Sequence, residues 1–348
     1  MDNMKIDFGG LGRITSTDEK IKTEHIDRYR AGENVIRFGI DYLDDALSGI
    51  AANDFVLVGA KTGSGKTELV TNIALNAAQA GKRVHFFALE AADREIERRL
   101  KFKVLAKRFR SEILNRFPDI RFCYQDWAMG LLRNELKDYD LKANDEMEWF
   151  YKNLFTYYRT HGNYTVHDFE KQFQAIKNET DLIIIDHLHY FDSDNLNENA
   201  AIKEITKKLK DLSDLLGKPI ILVAHLRKTD KRFASLVPDI EDFHGSSDIA
   251  KIATKAIILA PAREFTLVNL DLKKHVWPTY ARIVKSRTDS SRTIPTAVIF
   301  FDSKINEYSP GYFLGKINGE NQWESIPDIN APSWARKKNR DNVPTVFE

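Results

Sequence analysis

The stretch Ala60-Lys61-Thr62-Gly63-Ser64-Gly65-Lys66-Thr67 has the residue types and spacing of a phosphate-binding loop. Small residues let successive backbone N–H groups curl around phosphate oxygens, and the helix that follows points its positive dipole end at the same anion. Lys66 supplies a mobile point charge for the β- and γ-phosphates, and Thr67 a hydroxyl for Mg²⁺. Three further polar residues end apolar runs, where a parallel sheet gathers its chemistry. Asp186 closes Leu182–Ile185 and suits a magnesium carboxylate. Glu90 closes "RVHFFALE" and suits a carboxylate that orients an attacking water, or else an acid facing a helix dipole. His225 closes "IILVAH" and suits a hydrogen bond to the γ-phosphate, or a loop histidine with no such duty. Lys285 and Arg287 alternate at the end of a late strand, so both can approach one anion, belonging to this chain or to a neighbouring copy.

These residues require strands to carry them and helices to cover the strands. Val56–Val58 reads as a short buried strand, and Leu69, Val70, Ile73, Ala74 and Ala77 line one face of the helix after the loop, which Gly81 ends. Further strands are expected at 83–90, 153–159, 181–191, 218–226 and 255–260, with helices at 165–177 and 199–216. Strands at 280–287, 296–302 and 311–317 form a closing meander. Alternating strand–helix units with buried strands predict an α/β fold, a mostly parallel central sheet flanked by helices and ending in antiparallel strands. Residues 94–110 form a basic amphipathic helix whose cations read as a solvated face. In 111–150, Leu114, Phe117, Trp127, Leu131 and Leu132 suggest helices, interrupted by the charged stretch "KDYDLKANDEMEW".

Residues 1–34 read as an N-terminal arm. Ser16 to Glu19 forms a capping box, and Ile21, Ile26 and Tyr29 form a narrow stripe that suits packing on its own domain or docking on a neighbouring subunit. The α/β core is placed at 35–317 and a polar basic tail at 318–348.

Composition narrows the class. The chain has 348 residues, 43% of them hydrophobic and 30% charged, which describes ordinary globular material. A net charge of +1 leaves any nucleic-acid surface to local patches. One cysteine, Cys123, allows no internal disulfide and fits a reducing cytoplasm. No apolar run approaches the roughly 18 residues of a membrane span, and the first residues lack the order of a signal peptide.

Taken in order, "FGIDYLDDALSGI", "GAKTGSGKT", "FFALE", "LIIIDHLHYF", "ILVAHLRK", "DFHGSSDIAKIAT" and "IVKSR" resemble the motor domain of DnaB-like replicative helicases, over about residues 36–305. The resemblance implies a RecA-like P-loop NTPase that forms homohexameric rings, uses ATP or another NTP with Mg²⁺, and moves on single-stranded DNA, in the 5′–3′ direction. It assigns Lys66 and Thr67 as the P-loop pair, Glu90 as catalytic carboxylate, Asp186 as magnesium partner and His225 as phosphate sensor. Lys285 and Arg287 match the Lys-x-Arg whose arginine enters the neighbouring subunit's site. "DFHGSSDIAKIAT" matches the central-channel DNA loop, with His244 in place of arginine and Ser247 in place of glycine. Gly245, Lys228, Lys231, Arg232 and Lys251 are further DNA-contact candidates there. His189, where the family often carries glutamine, is a departure. Primase, a helicase loader and polymerase are the implied partners, and the short segment ahead of the motor suggests a phage or mobile-element type in the host cytoplasm. Two other readings share parts of this pattern: a RecA- or KaiC-like DNA-binding ATPase without unwinding, and a nucleotide-binding helicase assembly factor. The order of "DFHGSS" and "KSR" disfavours the first, and Glu90 together with Arg287 the second.

Overall fold

The computed structural model describes residues 6–7, 13–14, 17–113, 122–159, 162–193, 197–227, 235–243, 247–263, 265, 275–287 and 294–335. The expected DNA contacts Lys228, Lys231, Arg232, His244 and Gly245 lie outside them, as do Ser16, Leu114, Phe117 and residues 336–348.

A two-strand pair, β1 (Ile6–Asp7) and β2 (Arg13–Ile14), precedes helix α1 (Thr17–Glu33). Ile21, Ile26 and Tyr29 are 66%, 41% and 67% exposed, so α1 does not bury its stripe against its own domain among the described residues. The core begins after it, with α2 (Asp41–Leu47), β3 (Phe55–Ala60) and α3 (Lys66–Gln79). The expected stripe of α3, Leu69, Val70, Ile73, Ala74 and Ala77, is fully buried. Then come β4 (Val84–Ala88), α4 (Glu95–Arg108), a π-helical turn at Phe109–Ile113, α5 (Tyr124–Ala128), α6 (Asn134–Tyr151) and β5 (Leu154–Tyr158). Helix α7 (Val166–Ile176) starts on a capping box between Thr165 and Asp168. It leads to β6 (Leu182–Asp186), α8 (Glu198–Leu216), β7 (Ile220–His225), α9 (Ser247–Ile252) and β8 (Lys255–Pro261). The closing strands are β9 (Val276–Ser286), β10 (Thr296–Asp302), β11 (Glu307–Tyr308), β12 (Phe313–Ile317) and β13 (Trp323–Ser325).

All but β1 and β2 join one 11-stranded sheet in the order β13-β12-β10-β9-β8-β3-β7-β6-β4-β5, with β11 beside β10. From β8 to β5 every pairing is parallel, and from β8 outward through β9 every pairing is antiparallel. The central strands are apolar on both faces because both are covered. Val56 and Val58 pack into one core while Phe55 and Leu57 pack into the other, as the strand period of two requires.

Four expectations change. The apolar run 181–191 is a strand only to Asp186, and Leu188–Tyr190 forms a 3₁₀ turn. The charged stretch 137–149 is no break: it lies inside α6, which buries Leu136, Ala143, Met147 and Phe150 on one side. The cations of α4 are not simply a solvated face. Lys103 is fully buried against Glu68 at 2.6 Å, Lys101 meets Asp140 at 3.0 Å, and Arg99 and Arg108 pair with Glu68 and Glu146. Packed structure also continues past residue 317: β13 pairs with β12, and Ala331 and Ala335 are buried in the core. No helix among the described residues is long and apolar enough to cross a membrane.

Gly59, one residue before the end of β3, lies under the ring of Phe243. A Cβ at Gly59 would stand 2.4 Å from that ring and 3.0 Å from Leu226. Phe243 is fully buried and bridges Leu226, so this ring is seated directly on the strand that leads into the Ala60–Thr67 loop. Gly59→Ala is expected to lose about 1–3 kcal/mol through overpacking, read by urea unfolding. Wild-type stability in that variant would mean that the ring is not held against the strand.

Candidate active site

The parallel register brings the polar strand ends together. Ala60 lies level with His225 across β3 and β7, and Ala88 level with Asp186 across β4 and β6. After Ala60 the chain turns through Lys61 to Ser64 and enters α3, with Gly65 at the N-cap in the left-handed region (φ 83°), where a side chain would be strained. Lys66 and Thr67 therefore occupy the first turn of α3, beside the freed N–H groups of its N-terminus.

Lys66 is 7% exposed. Its ammonium donates to the Ala60 carbonyl at 3.1 Å and the Lys61 carbonyl at 3.3 Å, and lies 3.2 Å from His225 Nδ1. Burial lowers its pKa, and the carboxylates of Asp186 and Glu90 oppose that shift. The ammonium can only donate, so in this contact His225 Nδ1 is the acceptor. Thr67 Oγ1 donates to Asp186 Oδ2 at 2.9 Å. Asp186 is 3% exposed, and its other oxygen, Oδ1, is buried with no hydrogen-bond partner. Burial, helped by the charge on Glu90, pushes the Asp186 carboxyl up to about 6, against the Thr67 hydrogen bond and the cations Lys66 and Arg99. An orphaned buried carboxylate oxygen beside a hydroxyl is an oxygen-donor set of the kind Mg²⁺ takes, so these residues fit the expected ion.

The N–H groups of Leu89 and Glu90 donate to the Asp186 carbonyl at 2.7 and 3.3 Å, which ties the turn after β4 to the end of β6. The exposed Glu90 side chain lines an open cleft of about 450 Å³ with Thr62, Gly65, Lys66, Asp186 and His225.

Two groups at or beside this cleft, Arg99 and His187, were not singled out from the sequence. Arg99 lines it from α4, held by Glu95 at 2.7 Å and by Glu68. The Glu95 and Arg99 positions, four apart on a helix, were a local signal for half of this arrangement. His187 is fully buried directly after Asp186, and its ring meets that of His225 edge-on with centroids 3.8 Å apart. Burial, with His225, His189 and Lys66 adding to it, drives its pKa down to about 2. His189 sits in the 3₁₀ turn, and its N–H donates to His187 Nδ1 at 3.3 Å.

Lys285 and Arg287 are not at this cleft. In the sheet register Ala60 is level with Leu259, whereas Ser286 pairs with Lys255 at the start of β8, roughly 13 Å back along the strand. Lys285 donates to the Ala250 carbonyl at 2.9 Å, and the exposed Arg287 to the Lys251 carbonyl at 3.2 Å. Burial and the neighbouring Arg287 lower the Lys285 pKa to about 8. Of the expected DNA contacts within the described residues, Lys251 is exposed on α9 and Ser247 begins that helix.

The family model for the DnaB-like helicase C-terminal domain matches residues 36–309. A protein of Chlamydia trachomatis named probable plasmid replicative DNA helicase is 24% identical over 275 residues, covering 78% of this chain and 54% of that protein. The chain thus spans about half the length of that relative. A solved ATPase domain superposes with a TM-score of 0.65 at 18% identity, covering 85% of this chain and 99% of the other. A DnaB-like replicative helicase, solved in a study of its interactions with primase, gives a TM-score of 0.62 at 18% identity and covers 85% of this chain and 67% of the other. At these identities the two structures establish likeness of fold alone, an α/β core around a mostly parallel sheet.

Asp186 must release its proton before it can hold a cation, so Mg²⁺ competes with H⁺ there. Magnesium-dependent nucleotide binding is expected to weaken as pH falls through about 6, by about tenfold per pH unit below that point. Titrating a fluorescent nucleotide from neutral to mildly acid buffer measures this, and Asp186→Asn should flatten the profile. A midpoint down at the ordinary aspartate value would contradict the buried, destabilised carboxylate.

Proposed function

The chain belongs to the DnaB-like helicase C-terminal domain family, and on that premise we propose that it is the motor of a replicative DNA helicase. In this reading it hydrolyses ATP or another NTP, works as a homohexameric ring, and moves 5′–3′ along single-stranded DNA to unwind duplex. The observation that carries the reading is the position of Arg287: exposed, and at the far end of the sheet from its own Lys66. A guanidinium so placed serves a phosphate only if that phosphate belongs to another copy.

The residues divide the work as follows. Backbone N–H groups of Thr62 to Thr67 and the Lys66 ammonium hold the β- and γ-phosphates. Thr67 and Asp186 hold Mg²⁺, which when bound offsets phosphate charge. Glu90 orients the attacking water. Arg287 from the adjacent subunit neutralises charge developing on the γ-phosphate, an effect worth ~10³-fold or more in rate, and Lys285 holds the strand end that presents it.

His225 reports the state of the phosphate. When Lys66 turns toward a γ-phosphate, His225 Nδ1 loses its ammonium donor. The residue after it, Leu226, bridges Phe243, and the Arg227 N–H donates to the Asp242 carbonyl at 2.7 Å. A shift at His225 is thereby delivered to the segment that precedes α9, where the DNA contacts are proposed: Ser247 and Lys251, with His244, Gly245, Lys228, Lys231 and Arg232 nearby in sequence. Such contacts grip phosphates without reading bases. The exposed stripe of α1 suits docking on the next subunit. Primase is the proposed partner outside the ring, on the strength of the fold shared with a helicase studied with primase; a loader and polymerase follow from the same role in replication.

Arg287→Ala is expected to bind nucleotide normally yet lose DNA-stimulated hydrolysis, and mixing it with Glu90→Gln subunits should restore part of the activity, because hybrid interfaces join an intact Glu90 to an intact Arg287. Steady-state turnover of mixed rings, with native mass measurement to verify hexamers, tests this; no restoration in verified mixed rings rules out the trans arginine. Single-strand affinity should also fall linearly with the logarithm of salt concentration as counterions are released, measured by fluorescence anisotropy on oligo-dT. Flat salt dependence would rule out a phosphate-tracking channel.

A further inference from the structure

Two residues that line the cleft, Glu90 and His225, and one buried beside them, His187, form a donor set that phosphate binding and the magnesium pair do not account for. Among the described residues, Glu90, His187 and His225 each offer one ligand atom, and these atoms all lie within 4.8 Å of one another. The three come from different strand ends, after β4, after β6 and at the end of β7, which are adjacent in the sheet. Chain neighbours did not bring them together; the sheet did.

The chemistry of the set is distinct from that of Asp186 and Thr67. Magnesium takes oxygen ligands and keeps its waters. Two imidazoles and a carboxylate are the donors of a borderline transition ion such as Zn²⁺. One observation points to a ligand independently of the distances. His187 is fully buried, and its Nε2 has no hydrogen-bond partner. Burying a polar nitrogen without a partner is costly, and a bound ion would give Nε2 a partner.

We propose that Glu90, His187 and His225 form a binding site for a divalent transition ion of the zinc class in the nucleotide-free cleft. Glu90, the exposed member, closes on the ion from solvent. Ligation through His187 Nε2 leaves the ring proton on Nδ1, so the 3.3 Å contact from the His189 N–H gives way. The Lys66 ammonium, 3.2 Å from His225 Nδ1, opposes the incoming dication, while the Glu90 and Asp186 carboxylates favour it. An ion held here occupies the carboxylate assigned to the attacking water, so it would inhibit turnover. That consequence rests on the hydrolysis reading; the binding site itself does not.

The test uses the untagged 348-residue chain, free of nucleotide and in excess Mg²⁺, titrated with Co²⁺. The expected result is one Co²⁺ per chain with the visible absorption of a tetrahedral nitrogen–oxygen site, displaced by Zn²⁺ in calorimetry. Glu90→Gln, at an exposed side chain that the fold does not depend on, and His187→Phe should each weaken Co²⁺ binding about tenfold or more. His167→Asn, on the solvent side of α7 and away from the cleft, should leave it unchanged. A Co²⁺ spectrum like that of the aqueous ion, or full binding retained by Glu90→Gln, overturns the proposal. Nucleotide binding and hydrolysis in chelator-treated buffer with Mg²⁺ alone report on the motor separately, so failure of one reading is distinguishable from failure of the other.

Discussion

Everything at the cleft depends on the in-register alignment of parallel strands around β3. Because Ala60 is level with His225 and Ala88 with Asp186, the chain's polar strand ends meet at one edge of the sheet. A single-residue slip of β6 against β4 would carry Asp186 away from Thr67 and turn Ile185 toward the helix face it now avoids. The register is protected by burial on both faces: β3 and β6 are buried along their whole length, so every slip exchanges the two apolar cores. The stability of the sheet and the geometry of the phosphate site are the same constraint.

A second layer of support is electrostatic. Glu68, in the first turn of α3, faces both Arg99 and the fully buried Lys103 of α4, and Lys103 also donates to the Asn306 carbonyl. One carboxylate thereby ties the phosphate-loop helix to the next helix and to the antiparallel extension. Removing Glu68 would leave an uncompensated buried ammonium, a loss on the scale of about 3–5 kcal/mol for broken buried pairs. Arg99 is set by the same carboxylate at the rim of the cleft, so the network that fastens α3 to α4 also fixes the local field that Asp186 experiences.

What was legible in the sequence was local or periodic. The loop from Ala60 to Thr67 announces itself by spacing, and Asp186, Glu90 and His225 by standing at the ends of apolar runs. The stripe of α3 is read directly from its period. What was not legible depends on partners distant in the chain. Arg99 and Lys103 looked like members of a wet basic face because Glu68 is 31 and 35 residues away. Helix α6 looked like a break because its buried residues, Leu136, Ala143, Met147 and Phe150, are thinly spaced among charges. His187 gave no signal at all, since its surroundings exist only once β6 lies beside β7.

The placement of Lys285 and Arg287 follows from the same sheet. Strand β9 runs antiparallel to β8, so its C-terminal end falls where the parallel strands begin. Had β9 been a parallel strand, its terminal cations would have arrived at the edge that carries Lys66, and one edge would hold all of these charges. The reversal of direction after β8 divides that set between opposite ends of the molecule. Both cations are held there by α9: Lys285 and Arg287 donate to its carbonyls at Ala250 and Lys251, and Lys251 is itself exposed on the same short helix. Helix α9 thereby braces the strand end that bears Arg287. Its approach on the other side runs through Leu226 and Phe243 back to His225 and Lys66. Within one chain, the surroundings of Lys66 and the distant arginine are joined through a few packed contacts, as the proposed passage of state from copy to copy would need.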